Sequence, residues 1–329
     1  MTDIYPLIMK PYFRSGLSTP WGGHALKDRY GKNTPEEITG ESLEISALPG
    51  QESTVANGIC RGKSLGEVFR LWGEMLTGRK EKDFPLMLKL LDAQQCLSVQ
   101  VHPGDAYARD HEGKEGKSEA WYILDAKPGS RLVYGIDTNG ETLQDIVESG
   151  QLEKHLHWVD AHPGDVFYIP SGMIHALGPG IQCYEIQQSS DVTYRFWDWN
   201  RTGLDGKPRE LHLRQALDVS NPDGVPERVE KMMINSTGGT FTLLVSDPHF
   251  RLYALDLKGT FALPGGRMQF VTPTGACSLS WDGGSLKLEP WQSVLIPAGI
   301  GSVEVTGNGR VLLSCARKSC LENKIQKQD

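Results

Sequence analysis

Two stretches of this chain repeat one pattern. Residues 164–178 read GDVFYIPSGMIHALG, and residues 291–305 read WQSVLIPAGIGSVEV. Aligning Pro170 with Pro297 sets Gly172 on Gly299 and Ile169 on Ile296, and places His175 opposite Ser302. A strand, a P-x-G turn and a second strand in each half read as a duplicated β unit whose second copy kept the turn and lost a polar side chain. A chain built on that unit folds mainly as short strands. The 37 glycines and 19 prolines among its 329 residues supply the turns such a fold needs. The length predicts about two domains, with a larger one over 1–220 and a smaller one over 221–329.

The clearest helix starts at Ser64. Ser64 and Glu67 form an S-x-x-E capping box, and Leu65, Val68, Phe69, Trp72 and Leu76 recur on one helical face. Strands are expected at Ser42–Ser46, Phe84–Leu91, Cys96–His102, Ala120–Leu124, Val166–Ile169 and Ile181–Gln187, and in succession after Gly239. Residues 103–118 are polar and glycine-bearing and read as a loop. Leu143–Trp158 reads as helical, and residues 209–230 as a helix or linker.

The formal net charge is −7, which opposes a role in coating a nucleic-acid backbone, since that needs a basic surplus. The first residues, MTDIYPLIMKPYF, lack the basic and apolar regions of a signal peptide. No apolar run is long enough to span a bilayer. The six cysteines form no C-x-x-C pair and read as reduced thiols. The expectation is therefore a cytoplasmic protein without nucleic-acid or membrane partners.

Alternation along Cys96–His102 sends Ser98, Gln100 and His102 to one face and Leu97, Val99 and Val101 to the other. Taken alone, this is a half-buried strand with a wet polar side. Two further features change the reading. His175 follows a P-G turn at the start of a strand, and Glu119 lies between a glycine-bearing loop and an aromatic strand. Two imidazoles, a carboxylate and an amide oxygen form a donor set for a divalent metal with a position left open. Zinc suits the histidines, although glutamine is not among its usual ligands, and manganese, iron or cobalt fit the same donors. G-K-S occurs at Gly116–Ser118 and Gly62–Ser64, but His111 and Asn57 stand where a phosphate-binding loop needs glycine.

The P-x-G-x-x-H turn is similar to the second signature of the cupin superfamily. The segments LSVQVHPGDAYA, GKSEAWYIL, IPSGMIHALGPGI and QQSSDVTYRFWDWNR resemble the short bacterial branch of the type I mannose-6-phosphate isomerases, and the resemblance runs from about Pro6 to residue 220. It implies a mainly β fold of two cupin (jelly-roll) barrels with a few helices, the second barrel degenerate. It implies that Gln100, His102, Glu119 and His175 hold one zinc ion per chain. It further places Arg195, Lys117 and Asp191 among the catalytic groups, and Lys89, Ser98 and Lys117 among those facing substrate. Pro179 stands where a general cupin pattern continues to asparagine, a position this branch does not use as a ligand. The short spacing from Glu119 to His175 lacks the helical insertion of the long isomerases.

The implied reaction interconverts mannose 6-phosphate and fructose 6-phosphate through an enediol or enediolate. That chemistry needs a Lewis acid, a cation for developing charge and a base for the C1 and C2 protons. Asp191 and Lys117 both remain open as the base. A sugar phosphate is the expected partner of the chain, which is a monomer or a homodimer. The alternatives are a cupin isomerase for another sugar and a sugar-binding or regulatory cupin without catalysis; an iron oxygenase is disfavoured by the ligand set.

Overall fold

The computed structural model describes residues 4–202, 206–224, 232–263 and 265–316. Antiparallel sheets dominate, joined by short helices. Contacts divide the chain into two compact units that are discontinuous in sequence. One gathers the described residues of Met1–Tyr12, Leu43–Leu88 and Val229–Asp329; the other gathers those of Phe13–Ser42 and Lys89–Arg228. The sequence expectation was a single cut after residue 220.

The first unit is built on a ten-stranded sheet. Its two longest strands, Phe250–Leu263 and Val303–Ala316, pair along their whole length, from Phe250 opposite Ala316 to Leu263 opposite Val303. Alternating Tyr253, Leu255 and Leu257 meet Val305, Val311 and Leu313 in one apolar core. The Leu65–Trp72 helix belongs to this unit, and its capping box forms as the sequence predicts. Ser64 Oγ accepts from Glu67 N, and Glu67 Oε2 accepts from Ser64 N. The helix breaks at Gly73, whose φ of +46° suits glycine, and resumes at Glu74–Thr77.

Two further, facing sheets are built mainly from residues of the second unit. The six-stranded sheet runs Val166–Ile169, Glu119–Ala126, Ile181–Gln188, Leu86–Ala93, Thr39–Ile45, Tyr12–Ser15. The five-stranded sheet runs Tyr194–Trp197, Val99–Val101, His175–Ala176, Arg131–Ile136, Leu156–Asp160. Val99, Val101, Tyr194 and Phe196 face outward into an apolar layer closed by the helices Leu143–Glu148, Leu152–His155 and Leu213–Val219. The alternate residues Gln100 and Arg195 therefore face the other sheet. Trp121, Ile123, Leu132, Ile181 and Cys183 belong to one apolar cluster between the sheets.

Both P-x-G segments are hydrogen-bonded turns. Met173 N donates to Pro170 O at 3.2 Å, and Ile300 N donates to Pro297 O at 3.2 Å. They differ in kind. Gly172 has φ of +88°, as a type II turn requires, whereas Gly299 does not adopt positive φ. After the turns, His175 is fully buried while Ser302 is exposed and donates to Leu263 O at 3.3 Å.

Two local expectations change. Residues 103–118 contain the helix Asp105–Glu112, which carries little apolar signal and ends on Gly113 in the left-handed region. The Asp105 carboxylate ties this segment down by accepting from Gly116 N and Gln188 Nε2. The helical reading of Leu143–Trp158 holds only to His155, because Leu156–Asp160 is an edge strand paired with Arg131–Ile136.

Candidate metal centre

Strand register brings the polar residues together. His175 lies directly opposite Gln100, and Arg195 lies opposite Gln100 on its other side, so all three project from one face of the five-stranded sheet. On the facing sheet, Glu119 pairs with Gln187, and Trp121 pairs with Glu185. The gap is closed by Glu119, whose Oε1 is 3.2 Å from His175 Nε2 and whose Oε2 is 3.6 Å from His102 Nε2. One donor atom each from His102, Glu119 and His175 lies within 4.8 Å of the others, and all three side chains are buried.

Backbone carbonyls set both imidazole tautomers. His102 Nδ1 is 2.9 Å from Val192 O, and His175 Nδ1 is 2.9 Å from Met173 O. A carbonyl only accepts, so each Nδ1 carries the hydrogen and each Nε2 keeps its lone pair toward Glu119. Burial, followed by the Lys117 ammonium, holds His102 well below the usual histidine pKa and keeps its ring neutral. Burial pushes the Glu119 carboxyl up, but the Lys117 ammonium outweighs it and the group is held well below the usual carboxylate range. Neither carboxylate oxygen has a well-directed hydrogen bond among the described residues, although both are buried. Two inward lone pairs and an under-satisfied carboxylate are the donor chemistry a divalent cation takes.

Lys117 lies inside this group, its Nζ 2.9 Å from Glu119 Oε2 and 3.0 Å from His102 Nε2. Gln100 borders it. Its Nε2 is 3.4 Å from His175 Nε2, and its Oε1 accepts from Ser98 Oγ at 3.2 Å. The His175 lone pair favours that amide orientation; with the lone pair engaged by a metal, the preference disappears. Ser98 is buried, so the polar side of this strand faces the protein interior rather than water.

Arg195 is half-buried, with Nη1 donating to Glu210 O at 2.8 Å and Nε buried without a partner among the described residues. Burial, then the neighbouring Arg209 cation, presses its pKa below the usual guanidinium value. Asp191 stands apart from the cluster. It is exposed, and its Oδ1 accepts from Lys114 Nζ at 2.7 Å.

Lys89 belongs to a second buried charge group on the same side of the unit. Its Nζ is 3.0 Å from Glu185 Oε1 and 3.7 Å from Glu41 Oε2. Arg14 Nη1 donates to Glu41 at 3.0 Å, and Trp121 Nε1 donates to Glu185 at 2.8 Å. Trp121 also sets its ring edge-to-face against His175, with centroids 5.6 Å apart, and so links the two groups. Sequence reasoning missed Glu41, which sits in a fully buried strand. The signal was present as a carboxylate in T-G-E-S-L-E-I with no lysine or arginine nearby in sequence.

The profile described as "Phosphomannose isomerase type I, catalytic domain" matches residues 15–130. A mannose-6-phosphate isomerase from Streptococcus mutans is 40% identical over 73% of this chain and 76% of its own length. The mannose-6-phosphate isomerase ManA of Bacillus subtilis is 41% identical over 78% of this chain and 81% of its own. The crystal structure of a mannose 6-phosphate isomerase from Bacillus subtilis superposes with a TM-score of 0.89 at 34% identity, covering 94% of this chain and 99% of that one. A phosphomannose isomerase variant from Salmonella typhimurium shares the fold at 16% identity, with a TM-score of 0.75 over 96% of this chain and 100% of that one. Sequence, fold and the buried histidine–glutamate set agree, and the chain belongs to the type I phosphomannose isomerase family.

Proposed function

We propose that this chain interconverts mannose 6-phosphate and fructose 6-phosphate, with a zinc ion held by Gln100, His102, Glu119 and His175. The observation that carries this reading is the buried set in which both Nε2 lone pairs and an under-satisfied carboxylate converge beside Lys117. When bound, the metal supplies Lewis acidity to the substrate oxygens. The chain's own groups do the rest.

Lys117 Nζ is the proton-bearing atom nearest the ligand set, and we assign it to proton transfer between C1 and C2 through an enediol or enediolate. Asp191, the other base expected from sequence, would first have to leave Lys114. Arg195 supplies a planar guanidinium beside Gln100, where a substrate anion relieves the repulsion it feels from Arg209. Ser98 orients the Gln100 amide at the substrate-facing wall. Lys89, shared between Glu185 and Glu41, sets the charge of that wall rather than acting as a free phosphate clamp. No helix among the described residues is long and apolar enough to cross a membrane; the described cysteines are free thiols, the state that a reducing compartment such as the cytoplasm maintains.

The test is a coupled assay with mannose 6-phosphate before chelation, after it, and after return of zinc. Turnover should disappear with the metal and come back with it. Absence of turnover in the zinc-loaded protein would overturn the isomerase reading; full turnover with bound metal shown to be gone would overturn the metal's role alone.

A further inference from the structure

The unit that lacks the metal centre has a groove of about 880 Å³, within the ~300–1,000 Å³ typical of small-molecule sites. Two aromatic side chains line it, Tyr5 and Trp281, and each is set against a glycine. A Cβ on Gly58 would come within 2.3 Å of the Tyr5 ring, and one on Gly284 within 2.9 Å of the Trp281 ring. The Tyr5 hydroxyl is fixed as well, donating to Asn57 O at 3.1 Å and accepting from Cys60 N at 2.8 Å. Trp72 packs edge-on against Tyr5 with ring centroids 5.6 Å apart. Trp281 sits at the end of the Cys277–Trp281 strand, whose hairpin turn is Asp282–Gly283, and it packs against the core of the unit. The aromatic surface is therefore in place before any ligand arrives.

The polar groups of the groove fall into two kinds. Asn57 is held in place at both ends of its amide, Oδ1 accepting from Ile8 N and Nδ2 donating to Pro6 O. The Asp282 carboxylate, the Ser285 hydroxyl and the Trp281 indole N–H have no hydrogen-bond partner among the described residues. No lysine or arginine stands among the described residues that line the groove.

This chemistry narrows the ligand. A carboxylate in a lining without lysine or arginine repels phosphate, which disfavours a phosphorylated sugar. An ammonium could meet the carboxylate and the aromatic faces, but it only donates and would leave the Trp281 indole N–H, which also only donates, without an acceptor. The ligand that satisfies all of these groups at once is an uncharged molecule that donates to Asp282, accepts from Trp281 and Ser285, and has an apolar face for an aromatic ring. We propose that this groove binds a neutral hexopyranose, with its C–H face on Trp281 and adjacent hydroxyls on Asp282. The assignment is independent of the reaction at the metal centre.

The experiment titrates the zinc-loaded full chain calorimetrically with methyl α-D-mannopyranoside and methyl β-D-glucopyranoside. Both lack the phosphate and the free anomeric carbon that turnover needs. Saturable binding is expected with Kd on the order of millimolar. Trp281→Ala should raise Kd at least about tenfold, and Asp282→Asn several-fold, with kcat/KM for mannose 6-phosphate unchanged in both. Asp282→Asn alters an exposed turn and leaves the core contact of Trp281 intact, so it tests the site even if Trp281→Ala proves unstable. The proposal fails if neither glycoside binds, if both variants bind like the parent, or if tetramethylammonium binds in their place. It also fails if Glu119→Gln abolishes the binding, because that would put the glycoside at the metal centre.

Discussion

Lys117 and Glu119, two residues apart in sequence, close on each other at the entry to a strand, with Nζ 2.9 Å from Oε2. The same ammonium is 3.0 Å from His102 Nε2. Lys117→Met keeps the length of the side chain and removes its proton. We expect kcat to fall by about 10²-fold or more while the metal stays bound. Steady-state kinetics and metal analysis on one preparation decide this. Loss of the metal together with activity would mean that Lys117 organises the ligands instead.

Glu119→Gln tests the ligand set from the other side. The substitution removes the only carboxylate among the three clustered donors and leaves the buried Lys117 ammonium without its anion. Bound zinc per chain should drop sharply, and thermal stability should fall in the metal-loaded state because a ligand that binds only the folded chain stabilises it. A variant retaining stoichiometric zinc would remove Glu119 from the ligands.

Arg195→Ala should depress kcat strongly with zinc content intact. Arg195→Lys should recover little, since one ammonium does not reproduce the planar fork of a guanidinium. Full activity in the lysine variant would mean that only charge matters at this position.

The second charge group governs stability. Lys89→Met leaves two buried carboxylates without their shared cation and should cost about 3–5 kcal/mol, read by chemical denaturation. Burial lowers the Lys89 pKa, but Glu185 and Glu41 outweigh it and raise it on balance. Burial likewise raises that of Glu41, but Lys89 and Arg14 outweigh it and lower it on balance. The Lys89 contribution is therefore complete below the ordinary lysine pKa and is lost as pH rises through its raised value. That of Glu41 is complete above the ordinary carboxylate pKa and is lost as pH falls through its depressed value. The parent should hold a plateau between these limits. In Lys89→Met, burial gains weight at Glu41, so acidification from pH 7 toward pH 5 should narrow the stability gap to the parent. A constant gap would show that the carboxylates do not titrate there.

Gly178→Ala should be among the most destabilising single changes. A Cβ at this position would lie 1.6 Å from the carbonyl oxygen of Arg131, on the strand beside His175–Ala176. Backbone cannot swing aside as a flexible side chain does, so a loss of more than about 4 kcal/mol, or failure to accumulate soluble protein, is expected. A melting temperature within a few degrees of the parent would refute the contact.

The readable parts of the sequence are those where local chemistry and tertiary fate agree. The Ser64–Glu67 capping box, the strand entering each P-x-G turn and the alternation around Gln100 are set by neighbours in sequence. His175 and Glu119 were legible because a turn and an aromatic strand mark them. Glu41 and Lys89 were not read as a pair, because their partnership exists only once two strands far apart in sequence enter one sheet. The Asp105–Glu112 helix escaped notice for a related reason. It is tied down by Gln188 rather than by an apolar face of its own. Asp191 is singled out by the resemblance alone, and no local pattern foretells that its exposed carboxylate pairs with Lys114.

The strand Leu7–Lys10 pairs Leu7 with Leu295 and Ile8 with Val294, near the far end of the chain. During synthesis Leu7–Lys10 emerges long before Val294–Ile296 and waits for this partner. Closing so long a loop is entropically costly, and contacts of this separation slow folding. Until then the strand has Thr54–Val55 on one edge only, and its other edge stays open to misassembly with other chains. Deleting Val294–Ile296 would leave that edge permanently open, so a strand early in the sequence depends for its cover on one that is made much later.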